Sequence, residues 1–175
     1  ILRVHARLFT EEPIRLVSGL RPADGLMQKT ETLQTCRTVA LGQQDVLVRD
    51  ECELGEVLQI TDTLYATATA SVQDVMGGEE RVTITGSIEL EVYHVSALPS
   101  RPLVVTRHSI PFEETLPLGG ENGDLLTADA VIKDVAVLSQ EGQEEGQRTL
   151  RAEVLIAFSA QMTCRRDVCL LLDAY

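Results

Sequence analysis

The sequence contains no tryptophan and only three tyrosines and three phenylalanines among 175 residues. Sugar-binding faces and single-stranded nucleic-acid platforms rely on exposed rings to stack on, and this chain has few to offer. Positive charge is also scarce. Fifteen Lys and Arg stand against 27 Asp and Glu, for a net charge of −12. A phosphate backbone or an anionic lipid surface is repelled by that balance, so no nucleic-acid partner is expected. A basic partner or a divalent cation is tolerated. No run approaches the roughly 18 apolar residues of a membrane helix, so no membrane insertion is expected. The four cysteines, Cys36, Cys52, Cys164 and Cys169, are too few and too scattered for a disulfide scaffold.

What is present is aliphatic and periodic. Hydrophobic residues make up 44% of the chain, enough for a core of Val, Leu, Ile and Ala. The dominant pattern is alternation with period two. Val82, Ile84, Gly86, Ile88, Leu90 and Val92 form one face of a long strand, and Thr83, Thr85, Ser87, Glu89, Glu91 and Tyr93 form the other. A second long strand places Leu150, Ala152, Val154, Ile156, Phe158 and Ala160 inward. Leu64, Ala66, Ala68, Ala70 and Val72 alternate with threonines, which favours strand over helix. Gly77-Gly78 marks a hairpin, and Leu103 to Ile110 is a further strand that Pro111 is expected to end. Pro117 to Asp124 and Ser139 to Gln147 read as turn and loop. The best helix candidate, Ala23 to Leu33, lacks a clean helical stripe. The expected fold is all-β, an antiparallel β-sandwich or barrel-like domain with little helix.

The unit repeats. Ala70-x-Val72-x-Asp74-Val75 recurs as Ala130-x-Ile132-x-Asp134-Val135, each copy followed by a loop and a long alternating strand. Aligned by pattern, Gly86, Ile88, Leu90 and Val92 match Ala152, Val154, Ile156 and Phe158. Leu2 to Gly25 reads as a third, partial copy resembling Val154 to Tyr175. Ile1 already lies in strand-like sequence without a preceding Met, as in a segment of a longer protein. The expected organisation is 1–32 as the end of a preceding β unit plus linker, then a β domain over 33–175 with sub-units at about 57–112 and 124–175.

No catalytic signature accompanies this pattern. GxSxG, HExxH and P-loop spacings are absent, so no catalytic residue, cofactor or metal ligand is assigned. His5, His94 and His108 each sit within a strand pattern. Asp50, Glu51, Glu53 and Glu56 lack the offsets of a calcium loop and read as a solvated face. Glu79-Glu80 and Glu144-Glu145 read as solubilising charges at hairpin tips. Cys164-x4-Cys169 is the tightest cysteine pair. A turn at Arg165-Arg166-Asp167 would set the two across a hairpin, and they are the candidate cross-linking thiols.

From about Leu33 to Tyr175 the layout resembles the SPOCS domain family of spore-envelope morphogenetic proteins of endospore-forming bacteria. Val57-Leu58-Gln59-Ile60 leads into Ala68 to Val75. Val82 to Tyr93 is similar to the family's long strand, Ile110-Pro111-Phe112 to its Pro-Phe element, and Leu172-Asp173-Ala174-Tyr175 to its terminus. The resemblance implies a non-enzymatic interaction module of the spore coat or envelope, assembled from the mother-cell cytoplasm. Its partners would be other spore-envelope proteins or further copies of itself, as a homo-oligomer or fibre joined through strand edges. No peptidoglycan-binding LysM sequence is present. The alternative expectation is a cell-envelope module that binds a glycan or small ligand, for which Tyr65 and Tyr93 would have to share an open groove.

Overall fold

A computed structural model describes residues 13, 15–21, 25–54, 59–78, 80–120, 123–141 and 148–175. The N-terminal alternating segment Leu2 to Leu8, and most of the partial third copy, lie outside the described residues. So do Glu56, Val57, Leu58, Glu79, Glu144 and Glu145.

Among the described residues the regular structure is entirely strand, in the order β1 (Gln28–Leu54), β2 (Ile60–Gly77), β3 (Arg81–Ser96), β4 (Leu103–Pro117), β5 (Gly119–Gly120), β6 (Leu125–Glu141) and β7 (Arg148–Ala174). The strands form two antiparallel sheets, ordered β5-β1-β7-β6 and β2-β3-β4. The helix candidate is overturned. β1 begins at Gln28, inside that segment, and the 32/33 boundary falls within the strand. A run of Thr30, Thr32, Thr35 and Thr38 suits a pleated surface better than a helix.

The chain divides into two units, 1–36 with 165–175, and 37–164. In the first, Met27 and Tyr175 exchange backbone hydrogen bonds of 2.7 and 2.9 Å, the reciprocal pattern of an antiparallel pair. The Leu171 N–H donates to the Val17 carbonyl at 2.8 Å, and the Gln28 side-chain amide clasps the Leu20 backbone at 3.0 and 3.1 Å. Every β1 residue of this unit is exposed.

The second unit contains the core. The even-numbered residues of β3 and β7 point inward, so Val82, Ile84, Ile88, Leu90 and Val92 meet Leu150, Ala152, Val154, Ile156 and Phe158. Each fully buried Val, Leu or Ile is worth about 1.5–3 kcal/mol over exposure. The scarce aromatics reinforce this aliphatic layer with one contact, Phe112 of β4 against Phe158 of β7. The chain changes sheets after β4. Leu118 N–H donates to the Glu80 carbonyl, and Gly119 and Gly120 then pair with Leu41 and Ala40 of β1. Gly120 has φ +145°, and a Cβ there would run into the Val39 carbonyl, so this tight re-entry depends on glycine.

Pro111 does not end its strand. β4 continues to Pro117, with Pro111 opposite Ser87. β4 is an edge strand, so the missing N–H leaves no ladder bond unmade.

The sequence repeat has a structural counterpart. β2 pairs with β3, and β6 with β7, with a register shift at Val72/Asp74 in one and Ile132/Asp134 in the other. Gln73 and Lys133 are the extra residues of two matching β-bulges. In both, the aspartate Oδ1 accepts the next backbone N–H, Val75 at 2.9 Å and Val135 at 3.0 Å. The ladders also correct the pattern-based alignment. Val72 opposes Gly86 and Ile132 opposes Ile156, so Gly86 corresponds to Ile156 rather than Ala152. A slip of four residues preserves alternation, so period two alone cannot detect it.

Candidate functional site

The candidate thiols do not form a pair. β7 runs unbroken through Arg165-Arg166-Asp167, so Cys164 and Cys169 lie on one strand instead of across a turn. Five residues of strand separate them by about 16 Å, well beyond disulfide reach. Cys169 and Cys36 are exposed, and Cys52 and Cys164 are half-buried. Burial pushes the Cys52 thiol pKa up, with the Asp50 carboxylate adding to the effect.

Among the described residues the acidic cluster does not converge. Glu51 and Glu53 are exposed, while Asp50 lies at the alternate, half-buried position of β1. Among the described residues no three His, Cys, Asp or Glu side chains are grouped to hold a metal.

Tyr65 and Tyr93 do come together, through an irregularity that alternation conceals. Thr63 opposes His94 and Tyr65 opposes Tyr93, so Leu64 is an extra, exposed residue. The two rings stack with centroids 4.3 Å apart and planes 9° from parallel. Each ring thus gives one face to the other. The Tyr65 hydroxyl and the Glu91 carboxylate raise the Tyr93 pKa.

The same irregularity turns Thr63 inward onto His94, the most deeply buried titratable group described, with no exposed surface. Thr63 Oγ1 lies 3.1 Å from His94 Nδ1. His94 Nε2 lies 3.0 Å from Thr106 Oγ1, and His108 Nε2 lies 3.0 Å from that same oxygen. A polar chain therefore crosses β2, β3 and β4 on their inner face, in the order Thr63, His94, Thr106, His108. Desolvation lowers the pKa of His94, and the neighbouring His108 lowers it further. Desolvation also lowers His108, against an opposing pull from the Asp50 carboxylate on β1. At the other end, Thr63 lines an open cleft of about 410 Å³ with Thr61, Asp62, Ser139, Gln140 and Arg148. The histidines were visible in the sequence as strand residues, but their threonine partners were not. The one available signal was a threonine at an inward position between Val104 and His108.

Strand edges are the other prominent feature. Outside Ala40 and Leu41, which pair with β5, the outer edge of β1 has no strand partner among the described residues. The outer edge of β4 is likewise unpaired among them, but it is interrupted by Pro111. No family model, curated protein or solved structure matches the chain.

Proposed function

We propose that this chain is a non-enzymatic, structural interaction module of a bacterial endospore coat or envelope, docking to other envelope proteins or to copies of itself through strand edges. The observation that carries the reading is the outer edge of β1. It is 27 residues long, has no proline and, among the described residues, is strand-paired only at Ala40 and Leu41, with Pro117 and Leu118 lying against the adjacent Gly42. Such an edge presents a row of backbone donors and acceptors to an incoming strand. The SPOCS-like order of motifs supports the spore-envelope setting, and the repeated strand–hairpin–long-strand unit suits assembly into arrays. The stacking of Tyr65 on Tyr93 favours this reading over the glycan-binding one, because each ring has already given up a face.

Sedimentation velocity across a wide concentration range tests the self-association arm. The expected result is concentration-dependent growth, abolished by Thr32→Pro, which removes a backbone donor from β1. A chain that stays monomeric at high concentration, and does not bind co-expressed spore-envelope proteins, overturns the reading.

A further inference from the structure

We propose that Thr63, His94, Thr106 and His108 form a one-proton relay, in which protonation of half-buried His108 sets the tautomer of fully buried His94. A neutral imidazole has one N–H and one bare nitrogen, and a threonine hydroxyl has one proton and two lone pairs. Thr106 Oγ1 faces the Nε2 atoms of both histidines at 3.0 Å. Its single proton can serve only one of them, so the other Nε2 must carry a proton of its own.

Two closed arrangements satisfy the neutral chain. In the first, the Thr63 hydroxyl donates to His94 Nδ1, His94 Nε2–H donates to Thr106, and Thr106 donates to His108 Nε2. In the second, every bond is reversed: His108 Nε2–H donates to Thr106, Thr106 donates to His94 Nε2, and His94 Nδ1–H donates to Thr63. An unperturbed imidazole favours Nε2–H. Thr106 Oγ1 could accept from both rings at once, but its own proton would then have no acceptor within the chain, so the closed neutral chain divides between the two arrangements.

An added proton leaves only the second. His108 as imidazolium has Nε2–H fixed as a donor, which turns the Thr106 proton toward His94 and puts the His94 proton on Nδ1. The proton balance closes without ionising His94. A proton entering at Thr63 from the cleft displaces the Thr63 proton to Nδ1, the Nε2 proton to Thr106, and the Thr106 proton to His108 Nε2. These three short transfers deliver one net positive charge to the half-buried end. A second proton is refused. A cation would then sit on a ring with no solvent exposure, and the Thr106 proton would lose its acceptor within the chain. From the opposite sheet, Asp50 on β1 attracts the charge on His108, and at the Thr63 end the cleft carries Arg148 of β7 together with Asp62 of β2.

Long-range ¹H–¹⁵N correlation spectra of the imidazoles, recorded across a pH titration, test the relay. The expected result is a His94 Nε2–H population at neutral pH that converts to Nδ1–H in step with His108 protonation, while His94 stays neutral. Thr106→Val should uncouple the two, leaving the His94 tautomer unchanged as His108 titrates, and Thr106→Ser should restore the coupling. A His94 tautomer that does not respond to His108 in the native chain, or a His94 that becomes imidazolium together with His108, overturns the proposal.

Discussion

Phe112 meets Phe158 edge to face across the two sheets, with ring centroids 5.1 Å apart and planes inclined at 63°. Phe112 comes from the edge strand of one sheet, and Phe158 from an inner strand of the other. With so few rings in the chain, this contact is a main aromatic link between the layers. Phe158→Ala should destabilise the protein by about 3–5 kcal/mol, since it removes a fully buried ring from a packed core. Phe158→Leu should cost less than half as much. Urea unfolding followed by circular dichroism checks both, and a loss below about 1 kcal/mol for the alanine variant would show that the two sheets do not depend on this contact.

Gly86 explains how Phe112 gets so close to the sheet. A Cβ on Gly86 would collide with the Ser71 carbonyl oxygen and would stand 2.5 Å from Phe112 Cζ. Ser71 is backbone in a paired strand and Phe112 is held by Phe158, so neither can give way easily. Gly86→Ala should therefore destabilise by about 1–3 kcal/mol, the range for overpacking. If the clash with the ring dominates, Phe112→Leu in the same chain should recover part of that loss.

Most of this architecture was legible in the alternation of β3 and β7, because a strand with one buried face writes its burial into every second residue. The bulges were not legible. One extra residue at Leu64 reverses the phase locally, so Leu64 is exposed and Thr63 turns in, against the simple pattern. The offset between the two repeats was hidden because an even shift leaves the pattern unchanged. The turn expected at Arg165-Arg166-Asp167 failed for a different reason. Charged residues are as compatible with an exposed strand as with a loop, and this part of β7 is exposed. The two histidines could be seen, but the relay depends on threonines from β2 and β4 that are distant in sequence.

The cysteines should react at distinct rates. The thiolate is the nucleophile, and Cys52 combines partial burial with a raised pKa. Brief iodoacetamide treatment at neutral pH, read by peptide mass spectrometry, should modify the exposed Cys36 and Cys169 well before Cys52. Asp50→Asn should speed Cys52, because it removes the negative charge that opposes thiolate formation. Equal rates for Cys52 in the two chains would show that burial alone protects it.

Acid should weaken the fold in a window set by the two histidines. An unfolded imidazole titrates near pH 6.5. Both His94 and His108 titrate lower in the folded chain, so between the folded and unfolded values the unfolded state binds more protons. Stability from these groups is therefore complete above about pH 6.5 and declines as the pH falls below it. Melting temperature should drop between pH 7.5 and 5 at constant ionic strength, and His108→Gln should flatten part of that slope. Asp50→Asn should steepen it, because the carboxylate favours the protonated form of His108 in the folded state. A flat profile across this range would show that the histidines do not titrate with shifted values.

The paired bulges allow the repeat to be tested energetically. Asp74 and Asp134 occupy equivalent places, each accepting the next backbone N–H at close to 3 Å. Replacing either by alanine removes one such bond, a loss of about 0.5–1.5 kcal/mol. If the bulges are equivalent units, the two single variants should cost similar amounts and leave the denaturant m-value unchanged. The double variant should then cost their sum within about 0.5 kcal/mol, as expected for sites that share no partner. β2 and β6 contact one another, so a larger deviation would mean that the two bulges brace each other across the seam between the sheets. Unequal single costs would instead mean that the repeated sequence has been put to different structural use in its two copies.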